Sequence, residues 1–369
     1  MSRRQLQDHL VKKKKKSKFT WLNEVNSQSL LAALLDVDNA FKRFFTQGAG
    51  YPKFASKYDP WQSFSCPQHV RLEGGQVHLP KLGLMDLVLH RQIPSDGTIK
   101  NCVIKRSPTG KYQISLLIER NINEVICAPV IKDQSIGIDL GIKTFAVGSD
   151  GYSIQNPRFL SRQLPRLKTE QRKFARMQKD SNNRAKQKKV VAKIHEDVAN
   201  ARHHFIHQES YRLAVKNHAT TVMMETLMIK NMVRNHKLAR HITDCGWGMF
   251  EKALEYKLAE RGKNLIKIDT FLPSTKKCRI CKTKNTAMTL KDRVFVCGSC
   301  GHIEDRDLHA AQNVRDFGYE QYTRSLGTCE TVKRSPVSIS VGADEFAKGS
   351  KKFGTGRLEE APAIAALAA

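Results

Sequence analysis

Two CxxC pairs fifteen residues apart, Cys278-x2-Cys281-x15-Cys297-x2-Cys300, fix one piece of this chain before any helix or strand is read. Four thiolates at that spacing surround one Zn²⁺ tetrahedrally, each pair forming a knuckle, so residues 273–303 are predicted to be a zinc ribbon. Thr275-Lys276-Lys277 ahead of the first knuckle, and Gly298 and Gly301 around the second, suit tight turns. With four protein ligands the site is closed, so its zinc is structural or contacts nucleic acid and is not a catalytic metal. Cys66, Cys102, Cys127, Cys245 and Cys329 are scattered, which fits a reducing compartment and not a disulfide framework.

Ahead of the ribbon, hydrophobic periodicity predicts a β-rich N-terminal half carrying a helix, then an α/β core. Leu30, Leu31, Leu34, Leu35, Phe41, Phe44 and Phe45 recur at helical spacing, with Asn26 or Ser27 able to cap the helix. Gln76–Leu79, Leu87–Leu89, Thr98–Ile104 and Tyr112–Ile118 read as strands between Gly-containing turns. From Pro129 the pattern changes. Ser135–Leu140 and Thr144–Gly148 read as strands joined by a turn at Gly141, with a weaker third over Gly151–Ile154. A long polar helical stretch follows to about Asn217, broken near Ser181-Asn182-Asn183. Thr220–Glu225 reads as a strand, Trp247–Gly262 as a helix, Asn264–Asp269 as a strand, and a last helix starts near Leu308. Three strands, helix, strand, helix, strand, helix is the order of an RNase H-like sheet; order alone does not establish function.

Three acids stand out against that frame. Asp139 ends Ile136-Gly-Ile-Asp, and Glu225 ends Val222-Met223-Met224. A charge in such apolar runs is costly unless paired or metal-bound. Either alone reads as a strand-end surface residue or turn cap. Two strand-end acids in one sheet would emerge at one edge, and Asp307, heading the last helix, can supply a third. Asp307 is favoured over Asp305 as the helix N-cap, with Asp305 a supporting candidate. Clustered carboxylates repel, divalent cations relieve the repulsion, and two Mg²⁺ ions would clamp the oxygens of a phosphodiester displacement.

The chain's charge supplies the substrate class. Lys and Arg number 63 against 35 acids, giving +28 and a pI near 9.8, a field that attracts polyanions. Residues 158–193 hold thirteen Lys or Arg against Glu170 and Asp180. A solvated helix face usually mixes signs, so this helical pair, with Arg172, Lys173, Arg176, Arg184, Lys186, Lys188 and Lys189, is expected to track a phosphate backbone. No apolar run of membrane length and no secretory signal appears, so no membrane partner is expected. Trp21, Trp61 and Trp247 are expected in the core, and His203, His204 and His207 are given no role.

These residues resemble the TnpB (OrfB) transposon-associated nucleases, relatives of the type V CRISPR effectors with a RuvC-like RNase H core. The resemblance rests on Gly137-Ile-Asp-Leu-Gly-Ile-Lys-Thr-Phe-Ala, Ser181-Asn-Asn-Arg-Ala-Lys, Glu225 with Leu227, Pro273-Ser-Thr-Lys-Lys-Cys, and Cys-Gly-Ser-Cys-Gly-His-Ile-Glu-Asp-Arg-Asp307. It implies that Asp139, Glu225 and Asp307 hold catalytic Mg²⁺ and that the four cysteines hold Zn²⁺. It further implies cleavage of DNA directed by a guide RNA, in prokaryotic cytoplasm at the nucleoid. A non-catalytic nucleic-acid binder of the element and a DNA transposase are the alternatives. The chain departs from the family pattern with His309 for Asn and Thr226 for an acid. An additional strand and helix usually precede the region matching Leu22, so a truncated start is expected. The domains follow as a basic, partly disordered arm (1–20), a β-rich nucleic-acid-binding domain (21–130), a RuvC-like core (131–272) with the basic pair (158–217), the ribbon (273–303), a last core segment (304–318) and a disordered tail (319–369).

Overall fold

The apolar residues at helical spacing after Ser27 do form a helix, and Asn26 caps it by accepting the Gln28 amide at 3.0 Å. The computed structural model describes residues 3–90, 92–121, 125–270, 272–289 and 292–327, and the chain divides into two units. Their described parts are 3–121 with 170–193, and 125–169 with 194–327.

The first unit holds α1 (Arg3–Lys14), α2 (Ser27–Gln47) and two antiparallel three-stranded sheets. One sheet runs β1 (Gln62–Cys66), β5 (Thr98–Arg106), β6 (Tyr112–Glu119); the other runs β2 (Arg71–Glu73), β3 (Gln76–Leu79), β4 (Gly83–Asp86). Cys66, Val77, Leu79, Cys102 and Ile104 form their core. Three expectations need correction. The N-terminal arm is helical over Arg3–Lys14, because its Arg, Gln, Leu and Lys residues are themselves good helix formers. The strand expected at Leu87–Leu89 lies at Gly83–Asp86, where Lys81 and Gly83 at positive φ turn the chain back on β3. Trp21 and Trp61 are exposed; only Trp247 is in the core.

The second unit is built on β7 (Ser135–Leu140), β8 (Thr144–Gly148) and β9 (Ser153–Gln155), followed by α3 (Phe159–Arg176) and α4 (Asn182–Tyr211), two helices whose outer halves belong to the first unit. A π-helical turn, Arg212–Lys216, then leads to β10 (Thr221–Glu225). Next come α5 (Ile229–Met232), α6 (His236–Cys245), α7 (Trp247–Ala259) and β11 (Asn264–Ile268). The strands form one sheet in the order β11-β10-β7-β8-β9, with β10 parallel to β7 and β11 and the β7-β8-β9 ladder antiparallel. The hairpin β12 (Val294–Val296) and β13 (Ile303–Asp305) precedes the last helix, α8 (Arg306–Gly327). That helix extends well past Gly318, so the disordered tail expected from residue 319 is corrected as far as Gly327; the rest of that expectation, with Cys329, lies outside the described residues.

Side-chain alternation splits the sheet's two faces. Ile136, Ile138, Val222 and Met224 pack with Phe145, Ile206, Phe250, Leu254 and Leu258 in the main core. Met223 points the other way, packing with Ile268, Val314 and Phe317. Glycine decides how close α8 comes on that second face. A Cβ at Gly137 would lie 2.1 Å from the Ala311 carbonyl oxygen and 2.5 Å from the Arg315 amide. A Cβ at Gly318 would lie 2.6 Å from the Met223 sulfur. The helix backbone therefore rests directly on β7 and β10.

Candidate active site

The same alternation carries the acids. Asp139 shares the face of Gly137, and Glu225 shares the face of Met223, so both side chains leave the sheet on the α8 side. Met224 pairs with Ile138 across parallel strands, which sets Glu225 level with Asp139. Asp307 lies in the first turn of α8, one turn ahead of the Ala311 carbonyl that approaches Gly137. All three line one cleft of about 940 Å³. Lys143, Arg158, Lys276, Arg293 and Arg306 line it too, giving an acidic floor under a basic rim.

The acids feel one another. Burial pushes the Asp139 carboxyl up to about 7, with the charges of Glu225 and Asp307 adding to it and Arg306 opposing. Burial also raises Glu225, against a hydrogen bond from the Ser274 hydroxyl. Arg306 reaches Asp307 Oδ1 with Nε at 3.0 Å and Nη2 at 2.8 Å. The cap of α8 is Asp305, whose Oδ1 accepts the amides of Asp307 and Leu308 at 3.0 Å each. This corrects the reason for choosing Asp307: Asp305 is held by the cap, which leaves Asp307 to face the cleft. Lys143, Ser274 and Arg306 lie inside the quoted motifs and Arg158 in the basic stretch without a role assigned to any of them, and Arg293 carried no sequence signal. Arg158 alone carries a backbone mark, a φ of 50°.

Among the described residues, two groups bring three or more ligand atoms within 4.8 Å of one another, the four cysteines and His302-Glu304-His309. The three carboxylates are spread wider than that. Their donor set still suits a hard divalent cation, which takes a few carboxylates and completes its shell with water and phosphate oxygens. The cysteine sulfurs lie 3.6 Å apart for Cys278 and Cys300 and 3.5 Å apart for Cys281 and Cys297, close to the edge of a tetrahedral thiolate site. Lys282 and Gly301, each four residues after the first cysteine of its pair, take positive φ and close the two knuckles. His302 and His309 each approach Glu304 Oε2 at 3.2 Å. His309 is therefore directed away from the carboxylates, and Thr226 gives its hydroxyl to the Ile268 carbonyl at 2.8 Å.

Of the seven cations singled out on the helical pair, Arg172, Lys173, Arg176, Lys186 and Lys189 are exposed and Lys188 is half-buried. Lys173 pairs with Glu170 at 2.9 Å. Arg184 differs: its guanidinium donates to the Phe174 and Met177 carbonyls at 3.0 and 2.8 Å and stacks on the Phe174 ring. It closes the end of α3 instead of facing solvent.

A model described as a probable transposase of the OrfB/IS605 type matches residues 118–236, and the Cas12f1-like TNB domain matches residues 247–314. A protein of Streptomyces pristinaespiralis named "Putative RNA-guided DNA endonuclease" is 34% identical over 314 residues, covering 84% of this chain and 76% of that protein. The chain belongs to that family. Another member, "Putative RNA-guided DNA endonuclease InsQ" of Escherichia coli K12, is 30% identical, with 84% of this chain and 79% of that protein aligned. A solved Cas12f1 complex with guide RNA and target DNA aligns over 78% of this chain and 71% of its own at 16% identity and a TM-score of 0.47. Among the described residues no helix is long and apolar enough to cross a membrane.

Proposed function

We propose that this member of the family is the RNA-guided DNA endonuclease of a transposable element, and that Asp139, Glu225 and Asp307 are its catalytic carboxylates. The observation that carries the reading is the convergence of three acids from two parallel strands and a helix start on one cleft with a cationic rim. The five-strand order with α8 laid on one face supports naming the core RNase H-like, of the RuvC type. Guide RNA and target DNA come from what the relatives are named for, and the +28 charge agrees with partners of that kind.

The carboxylates would hold Mg²⁺, which supplies charge neutralisation and an acidified water to phosphodiester hydrolysis. The protein's own contributions are separable. Asp139 and Glu225 present oxygens from rigid strand ends, and partial burial strengthens their attraction for a cation. Lys143, Arg158 and Arg293 bind phosphate oxygens of the strand entering the cleft. Arg306 holds Asp307 until a stronger cation competes for it. The four cysteines would hold a structural Zn²⁺, and the exposed cations of the helical pair would follow the nucleic-acid backbone.

The test is cleavage of guide-matched DNA by the purified chain with its bound RNA, with and without Mg²⁺. Cutting that requires both supports the reading. Specific binding without cutting under any divalent metal would favour a non-catalytic role.

A further inference from the structure

The link from the cleft to the cysteine ribbon is short and fully bonded. Ser274, 5% exposed, gives its hydroxyl to Glu225 Oε1. Four residues later Cys278 enters the sulfur cluster, and the turn between is closed by the Lys276 and Lys277 amides on the Pro273 carbonyl. One side chain grips both ends of that turn. Asn313, 2% exposed on α8, donates its two amide hydrogens to the carbonyls of Ser274 at 2.6 Å and Lys277 at 2.8 Å. His309 Nε2 lies 2.9 Å from the same Lys277 oxygen, a contact in which the ring nitrogen must donate. The His309 ring also lies flat on Phe295 at 3.8 Å and 11°. Phe295 sits in the ribbon's small core with Cys278, Cys297 and Met288.

We infer that Ser274 and Asn313 are positioning residues for Glu225, and that through them the folding of the four-cysteine ribbon sets the geometry of the carboxylate site. This rests on the reading of Glu225 as a metal ligand. A carboxylate has four lone-pair sites, and fixing one by Ser274 leaves the others a defined direction. Asn313 belongs to the helix that carries Asp307, so one residue ties two of the three acids into a single frame. His309 braces the same turn against the ribbon. It fills this place where the family pattern has Asn, so it need not weaken the site.

A merely structural Ser274, satisfying a half-buried acid, would change stability and leave metal affinity alone. Positioning predicts a different outcome. The full chain, freed of RNA by nuclease and high salt, is titrated with Mn²⁺ by electron paramagnetic resonance, and DNA affinity and melting temperature are measured alongside. Ser274→Ala is expected to weaken Mn²⁺ binding by about 10-fold or more, the usual cost of losing a partner behind a metal ligand, with DNA affinity unchanged. Ser274→Thr, which keeps the hydroxyl, restores it. Asn313→Ala weakens Mn²⁺ similarly, and the double variant is no worse than the poorer single one, because both act through one link. Unchanged Mn²⁺ affinity in Ser274→Ala, or effects of the two substitutions that multiply, would overturn the inference. Glu225→Gln separates the levels: if it leaves Mn²⁺ binding intact, the assignment of Glu225 itself fails, whatever Ser274 does.

Discussion

Glu225 stands level with Asp139 at the ends of two parallel neighbouring strands, because Met224 pairs with Ile138 one residue earlier. Both acids lie on the face covered by α8, where burial first, and the charges of Glu225 and Asp307 after it, raise the Asp139 carboxyl to about 7. The chemistry of the cleft follows from that pairing.

Its first consequence is a pH dependence. Below about pH 7 Asp139 keeps a proton that an incoming divalent cation must displace. Mn²⁺ affinity of the RNA-free chain should therefore rise with pH, by up to about tenfold per unit, and level off above that range. The metal-free fold behaves oppositely. A folded carboxyl raised from 3.8 to about 7 holds its proton longer than the unfolded chain does, so stability falls as pH climbs through that window. Calorimetric titration across neutral pH checks the first statement and thermal melting the second; a flat affinity profile would count against the assignment of Asp139.

Removing the charge should trade activity for stability. Asp139→Asn in mildly alkaline buffer, without metal, is expected to raise stability by roughly 1–3 kcal/mol, the cost of an uncompensated buried charge. Added Mg²⁺ should stabilise the parent chain and leave the variant unmoved. Parallel melting curves with and without Mg²⁺ decide the matter.

Gly137 is where the helix and the sheet meet. Gly137→Ala puts a carbon 2.1 Å from the Ala311 carbonyl oxygen, so α8 must lift away. We expect about 2–3 kcal/mol of destabilisation from such overpacking. DNA cleavage should be lost although all three acids remain. A variant that folds with unaltered stability and cuts normally would mean that the close approach of α8 does not matter.

The helical pair separates two kinds of arginine and lysine. Replacing Arg172, Lys186 and Lys189 together by Ala should weaken nucleic-acid binding and flatten its dependence on salt, by up to about one counterion for each phosphate no longer neutralised. Arg184→Ala should instead lower the melting temperature, since its guanidinium closes α3. Filter binding over a salt series, with melting curves, distinguishes them.

How far the sequence was legible depends on range. β7, β8 and the end of β10 were readable because short apolar runs bounded by glycine or an acid have few alternatives. The cysteine spacing was readable because it is a local geometric rule. Asp139 and Glu225 were singled out by asking which charges end apolar strands. The cap of α8 was assigned to Asp307 and is Asp305, since Asp305-Arg306-Asp307 offers two acids and only the turn from β13 into the helix decides between them. Ser274 stands in a quoted motif, but neither it nor Asn313 could be given a role: a serine and an asparagine acquire one only when β10, the turn before Cys278 and α8 come together. β1 and β2 escaped because they are short and polar on their exposed faces. The helical arm escaped because a lysine run reads equally as coil.

The most direct test of the central claim is cleavage by Asp139→Ala assembled with its RNA on guide-matched DNA in Mg²⁺. The account predicts that cutting disappears while RNA and DNA binding stay within about twofold of the parent chain, because the acid serves the transition state and not the hold on substrate. Cutting at the parental rate by that variant would contradict it.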